Sequence, residues 1–366
     1  MHKNSVAAKF QYLKSILPGV VLALVFCLFS QGINNVLAIE IFGTNKSPIS
    51  TVLIAILLGI LMGNAFTPRP GMMIGLDFTQ QYILKLGIIF LGIRLSFSDL
   101  IKFGSIAIPL VIFCIIGVLI LIKLLIKKVP ISSKMSYLIA IGTSVCGATA
   151  IVATAPVINA KKTEVAYSIA NITLFGVIAM LLYPYFAEWY FDNNALEAGL
   201  FLGTSIHETS QVAAAGLIYD QQFNNPETLD VATVTKLIRN TFLVVLIPLF
   251  AFLYNRGVLK EQKYSILSIF PYFVIGFIGM IIVRNLGDQF FSVETDNFYA
   301  WSNFIEYLKI LATVFLTMAM AAVGISINLS ELKSMGYKPF VVGLIAAVTV
   351  GIISLIYIET LKNFFI

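Results

Sequence analysis

The chain has 366 residues, 59% of them hydrophobic and only 11% charged, with a mean hydropathy of +0.93. A soluble domain carries about a quarter charged residues, so this composition belongs to a polytopic membrane protein and leaves no room for a separate soluble domain. The net charge of +6 reads as Lys and Arg retained in cytoplasmic loops under the positive-inside rule, with no nucleic acid or acidic partner required.

The start "MHKNSVAAKF" places positive charge before an apolar run that continues past signal-peptide length without a small-residue cleavage site. It is read as a retained first helix with a cytoplasmic N-terminus. Eleven apolar segments follow from hydropathy, at about 16–38, 49–65, 81–97, 104–126, 137–158, 164–187, 196–219, 231–254, 266–285, 303–327 and 339–358. Loop charge orients them. The loop with Lys123, Lys127, Lys128 and Lys134 is expected in the cytoplasm, as is the loop with Arg256, Lys260 and Lys263. "YDQQFNNPETLD" and "GDQFFSVETDN" suit the outside.

The fifth segment is basic on both flanks, with Lys161 and Lys162 after it, and the seventh is acidic on both flanks. If loop charge governs, both are re-entrant; if both cross, the parity of every other segment is unchanged. The two also share a sequence. "GTSVCGATAIVATAP" (142–156) and "GTSIHETSQVAAAGL" (203–217) begin alike and run into small residues, which weaken a helix and let backbones approach. A second echo links "LGIRLSFSDLIKFG" (91–104) to "VGISINLSELKSMG" (323–336). Members of each pair lie in opposite orientations, the signature of an inverted-topology repeat with interrupted helices at the substrate site. Offsets of 61 and 232 residues do not come from one tandem duplication.

The polar groups inside these segments are the candidate site. A charge at the bilayer centre costs about 2.5–3.5 kcal/mol on insertion scales, so buried ionisable residues face a cavity or a partner. Glu208 and His207 are the candidate proton-coupling pair, histidine titrating near physiological pH. On a continuous helix Thr204, Glu208 and Gln211 would share one face, with His207 at its edge. Thr143, Ser144, Cys146, Gly147 and Thr149 offer hydroxyls and freed backbone groups, and Thr204 and Ser205 do so in the second stretch. Arg239 would add positive charge toward an anion. Lys236 and Arg94, near helix ends, more commonly snorkel to the interface. Asn159, Asn171 and Asn328 read equally as interhelical hydrogen-bonding groups. The three cysteines (Cys27, Cys114, Cys146) show neither metal-ligand spacing nor a disulfide framework. Walker and His-Glu-x-x-His motifs are absent, and no paired mid-membrane aspartates occur.

"GTSVCGATAIVATAPVI", "GTSIHETSQVAAAG" and "TMAMAAVGISINLSEL" resemble the signature stretches of the YeiH-like (UPF0324) inner-membrane proteins, a family labelled as sulfate exporters. The resemblance runs from about residue 15 to the end. It implies a place in the wider group of bile-acid/sodium and cation/proton antiporter-like carriers, with inverted repeats and discontinuous helices crossing at the substrate. Carried here, the broken elements are 137–158 and 196–219. The expectation is therefore an all-α membrane protein of about 9–11 spans forming one transmembrane domain. It would be a secondary active transporter of a small anion such as sulfate, sulfite or a sulfonate, coupled to protons, in the inner membrane. The expected partners are that anion, the bilayer, a proton or sodium ion and a second copy of the chain. No cofactor, metal or enzymatic activity is expected. The alternatives are a sodium-coupled carrier of an organic anion and a receptor or scaffold that moves nothing.

Overall fold

The structure, a computed structural model, describes residues 2–42, 47, 49–66, 69–125, 132–254, 271–291, 298–328 and 337–365. Among them every regular element is helical and none is a strand. In chain order these are α1 (His2–Val36, extended by a π-helical turn at Leu37–Ile41), α2 (Thr51–Ala65), α3 (Pro70–Phe78) and α4 (Leu84–Leu91). A π-helical turn at Thr79–Ile83 joins α3 to α4. Then come α5 (Phe97–Leu125), α6 (Ser133–Ser144), α7 (Ala148–Thr154), α8 (Lys162–Phe191), α9 (Ala195–Ser205) and α10 (Thr209–Phe223). The chain continues with α11 (Pro226–Thr241), α12 (Leu243–Tyr254), α13 (Phe273–Phe290), α14 (Phe298–Ser326) and α15 (Tyr337–Phe365).

Each of the eleven apolar segments contains helix among the described residues. Among the described residues eight helical stretches are long and apolar enough to cross a bilayer, fewer than the 9–11 expected. The other three fall short for local reasons: α2 has 15 residues, and α6–α7 and α9–α10 are each split by a break. The third segment starts earlier than hydropathy suggests, at Pro70. Proline fits the first turn of a helix, and Asp77, Gln80 and Gln81 lower the hydropathy without stopping the helix. Lys127, Lys128, Arg256, Lys260 and Lys263 lie outside the described residues, as do 292–297 and 329–336 of the acidic loop and the second echo.

The chain divides into two compact units. The first comprises Met1–Phe97, Asp220–Asn224 and Ile275–Leu329. Here α14 packs on α2 and α4, and α1 packs on α3. Glycines set these crossings. A Cβ on Gly75 would lie 2.7 Å from the Gly19 Cα, and one on Gly59 would lie 2.6 Å from the Ala321 carbonyl oxygen. Backbones in contact are the membrane solution to helix association, where lipid supplies no hydrophobic drive. Ala23, Cys27, Leu76, Met318 and Ala322 form the adjoining core. Arg94 pairs with Asp220 at 3.6 Å.

The second unit comprises Ser98–Tyr219, Asn225–Val274 and Ser330–Ile366. Here α11 packs on α9, and α15 packs on α8 and α9. Gly199 and Gly203 form the seam of the first pair: Cβ atoms there would lie 2.5 and 2.7 Å from the Cβ atoms of Val231 and Thr235. Small residues four apart stack on one helix face and admit the neighbour. Asn171 is buried on α8. Its carboxamide fills the space where a side chain at Gly343 would go.

The glycine crossings in the first unit predict a contrast within α3. Gly75→Ala forces the α1 and α3 backbones apart and costs about 1–3 kcal/mol. Gly71, with nothing within 4 Å of its Cβ position, accepts alanine at no loss and gains up to about 1 kcal/mol. Thermal unfolding in detergent orders the two variants. A midpoint for Gly75→Ala equal to or above that of Gly71→Ala refutes the backbone contact.

Candidate functional site

Two helices of the second unit stop and restart close together. The first break follows α6. Val145 leaves the helix at φ −128°, ψ −88°, and Gly147 turns the chain at φ +67°, ψ −127°. That conformation is closed to residues with a Cβ. The second break follows α9, where Ile206 is extended at φ −87°, ψ 141°. Helix ends leave carbonyls without intrahelical donors, and in a membrane these must find partners within the protein.

Two cations from α11 satisfy them. Lys236 Nζ donates to the Val145 carbonyl at 3.0 Å and the Ile206 carbonyl at 2.9 Å, and also to the His207 carbonyl. Arg239 Nε donates to Ser144 O at 2.7 Å, and Nη1 donates to Thr204 O at 2.5 Å and Ile206 O at 3.2 Å. Its Nη2 donates to Thr143 O. Both side chains are fully buried. Their spacing of three residues puts both on one side of α11, and the Gly199–Gly203 seam brings that side to the breaks. The two cations thus bind carbonyls from both interrupted helices at once.

Glu208 bridges the breaks in the other direction. Its Oε1 accepts from the Ala148 N–H at 3.3 Å, at the start of α7. Its own N–H donates to Gln211 Oε1 at 3.2 Å, and Gln211 Nε2 donates to Thr173 O of α8 at 3.3 Å. Gly176 makes room for that carboxamide, since a Cβ there would lie 2.7 Å from Gln211 Cδ. Asn240 Nδ2 donates to Thr209 Oγ1 at 2.9 Å. Unlike the two cations, Glu208 and Thr209 retain some accessible surface.

The residues that sequence assigned to substrate binding and proton coupling lie in or beside this crossing: Thr143, Ser144, Cys146 and Gly147 at the first break, Thr204, Ser205, His207, Glu208 and Gln211 at the second, and Arg239 between them. Their arrangement differs from a single helical face, because the chain is not helical through Ile206–Glu208. Thr204 Oγ1 turns away to share a hydrogen bond of 2.6 Å with Ser354 Oγ, while Glu208 reaches the opposite break. Cys146 is 8% exposed, and all three cysteines are free. Thr149 is exposed. His207 is fully buried; neither ring nitrogen completes a hydrogen bond, although the Ser205 backbone approaches the ring. The hydroxyls of Thr143, Ser205 and Thr235 and Asn240 Oδ1 are likewise buried without partners. Among the described residues no group of three metal-ligating side chains occurs. Arg94 and Asn328 belong to the first unit, and Asn159 lies in the turn before α8 at φ +49°.

Thr209, Gly176 and Ser354 are members that sequence reasoning passed over, and Lys236, expected to snorkel to the interface, is instead fully buried at the crossing. The signal for Lys236 was present: "TKLIRN" puts Thr235, Lys236, Arg239 and Asn240 at i, i+1, i+4 and i+5 inside a helix with apolar neighbours. Such a polar stripe asks for a buried partner.

Arg239→Lys removes the fork that serves four carbonyls, and a single ammonium does not replace it. The variant is expected to lose at least about 2 kcal/mol of stability, read as a lower unfolding midpoint. Gly147→Ala is expected to lose about 1–3 kcal/mol through its backbone conformation. Wild-type midpoints for both variants refute the described geometry of the breaks.

No solved structure matches the chain with significance. The family described as "Conserved hypothetical protein 698" matches residues 18–343. The UPF0324 membrane protein of Streptococcus agalactiae is 33% identical over 93% of this chain and 95% of its own length. That of Fusobacterium nucleatum is 33% identical over 84% and 89%, and that of Clostridium tetani 28% identical over 96% and 99%. With its helices long and apolar enough to span a bilayer and this match over nearly its whole length, the chain is a multi-pass membrane protein and belongs to the UPF0324 membrane protein family.

Proposed function

We propose that this chain is a secondary active transporter that moves a small anion across the inner membrane by alternating access, coupled to a proton at Glu208, without chemistry on its substrate. The observation that carries this reading is the crossing of two interrupted helices around buried charge. Interrupted helices at membrane depth are built where polar backbone must serve a substrate or ion. A receptor or scaffold has no need of that expense.

Charge favours an anion. Lys236 and Arg239 against Glu208 leave one formal positive charge in excess at the crossing. Two carbonyl ends and two amide ends of half-helices meet there, and their fractional charges, about 0.5 of each sign, largely offset one another. A buried excess charge is costly unless paired, and an anionic substrate supplies the pair. The hydroxyls of Thr143 and Ser205, without partners, are donors of the kind an oxyanion accepts.

Glu208 suits proton coupling because it alone of the three charged groups keeps accessible surface, and its carboxylate ties one break to the other. Protonation weakens its hold on the Ala148 N–H, since a charge-assisted hydrogen bond is roughly twice as strong as a neutral one. The proton would thereby alter how the two broken helices are joined.

The test is flux in proteoliposomes loaded in turn with sulfate, sulfite, thiosulfate and taurine, under imposed proton or sodium gradients. At least one anion is expected to move faster than from protein-free vesicles and to respond to the proton gradient. Glu208→Gln with an unchanged unfolding midpoint is expected to lose that response and at least about tenfold in rate. Wild-type vesicles that hold every anion as tightly as protein-free ones under both gradients sink the reading. Flux driven by sodium alone removes the proton.

A further inference from the structure

We infer that the two breaks form a cage for a monovalent cation and that the chain fills this cage with its own Lys236 ammonium, in place of a free ion. An ammonium has three N–H donors and no acceptor, and Nζ of Lys236 meets three carbonyl oxygens, those of Val145, Ile206 and His207. Every donor is used and the side chain is fully buried. Rings of backbone carbonyls that replace a hydration shell are how membrane proteins hold sodium and potassium, and unwound helix segments supply such carbonyls in ion-coupled carriers. Here the oxygens come from both interrupted helices, so the ligand at their centre joins the two.

The cage does not depend on Lys236 alone. Arg239 independently holds Ser144, Thr204 and Ile206 through their carbonyls, together with Thr143. The glycine seam at Gly199 and Gly203 keeps α9 against α11. Shortening Lys236 to alanine therefore empties a slot shaped for an alkylammonium and leaves the carbonyls facing it. The consequence for coupling, which rests on the transport reading, is that no free sodium acts at these carbonyls. A tethered cation supplies that charge in every state of the cycle, and the coupling ion binds elsewhere. The cage itself stands on geometry and is tested without transport.

The measurement is the unfolding midpoint of the full-length protein in detergent, titrated at constant ionic strength with ethylammonium, ammonium, potassium or sodium against choline, which is too bulky for the slot. Wild type is expected to be indifferent to the cation. Lys236→Ala is expected to unfold several degrees lower in choline and to regain most of that loss, saturably, with ethylammonium or another small cation. Lys236→Met, whose side chain refills the slot, is expected to show no recovery. A folded Lys236→Ala variant that responds to no small cation overturns the inference. So does a saturable, sodium-specific or potassium-specific rise in the wild type, a result obtained even if the alanine variant does not fold. Flux that fails while ammonium rescue succeeds refutes the transporter and leaves the cage standing.

Discussion

A carbonyl oxygen at the end of a helix inside a membrane has no water to turn to, and this constraint organises the second unit. Leaving such a group without a partner costs several kcal/mol, and two interrupted helices create a set of them in one place. Lys236 and Arg239 resolve the problem together by donating into both breaks from one side of α11. Much of the local sequence then follows. Gly199 and Gly203 let α11 approach closely enough for those donors to reach, Gly147 makes the turn that exposes the Val145 carbonyl, and Gly176 yields space for the Gln211 carboxamide. Each of these glycines is required for a close approach or a positive φ.

The charged groups divide their work by position. The two cations are sealed from solvent and engaged by backbone on several sides, so they act as fixed charges. Glu208 sits at the same crossing with part of its surface accessible and two hydrogen bonds of 3.3 and 3.2 Å at its side chain and backbone. Fixed positive charge beside an accessible carboxylate is an arrangement in which protonation changes local charge and local geometry together. The partnerless hydroxyls of Thr143 and Ser205 and the ring of His207 are polar surface kept inside the protein at a cost. Buried polar groups of that kind are normally hydrogen-bonded, and in the transport reading the substrate or ordered water meets them.

The two units solve helix association differently. The first relies on backbone contact at glycines on α1, α2, α3 and α14, with aliphatic and sulfur side chains filling the remainder. Its polar contacts are small local sets, such as the Gln80 carboxamide donating to Ala322 O at 3.1 Å and Ser326 Oγ at 2.7 Å. The second combines a glycine seam with a polar centre in which α6, α8, α9, α10 and α11 all contribute atoms. Dispersion and close packing suffice for the first, because lipid competes poorly for a tightly fitted groove. The second also needs charge to hold chain segments that are not helical.

Sequence alone settled the class of the protein and the approximate place of most of its helices, though not the start of the third at Pro70. Length and apolarity leave no other structure for such segments in a bilayer, and hydropathy marked each of the eight stretches that are long enough to span among the described residues. It also singled out the stretches from Gly142 and from Gly203, because small residues and an isolated His-Glu pair are costly in apolar surroundings and stand out against them. It did not show that Lys236 belonged at the centre. Near a helix end a lysine most often snorkels to the interface, and the carbonyl that contradicts this lies 91 residues away along the chain. Nor did it show which way Thr204 and Glu208 point, since a face drawn on a continuous helix loses meaning once Ile206 is extended. Those features were decided by tertiary structure. Backbone carbonyls carry no sequence signal, and only the packing of α11 against both breaks determines which of them a buried cation can reach.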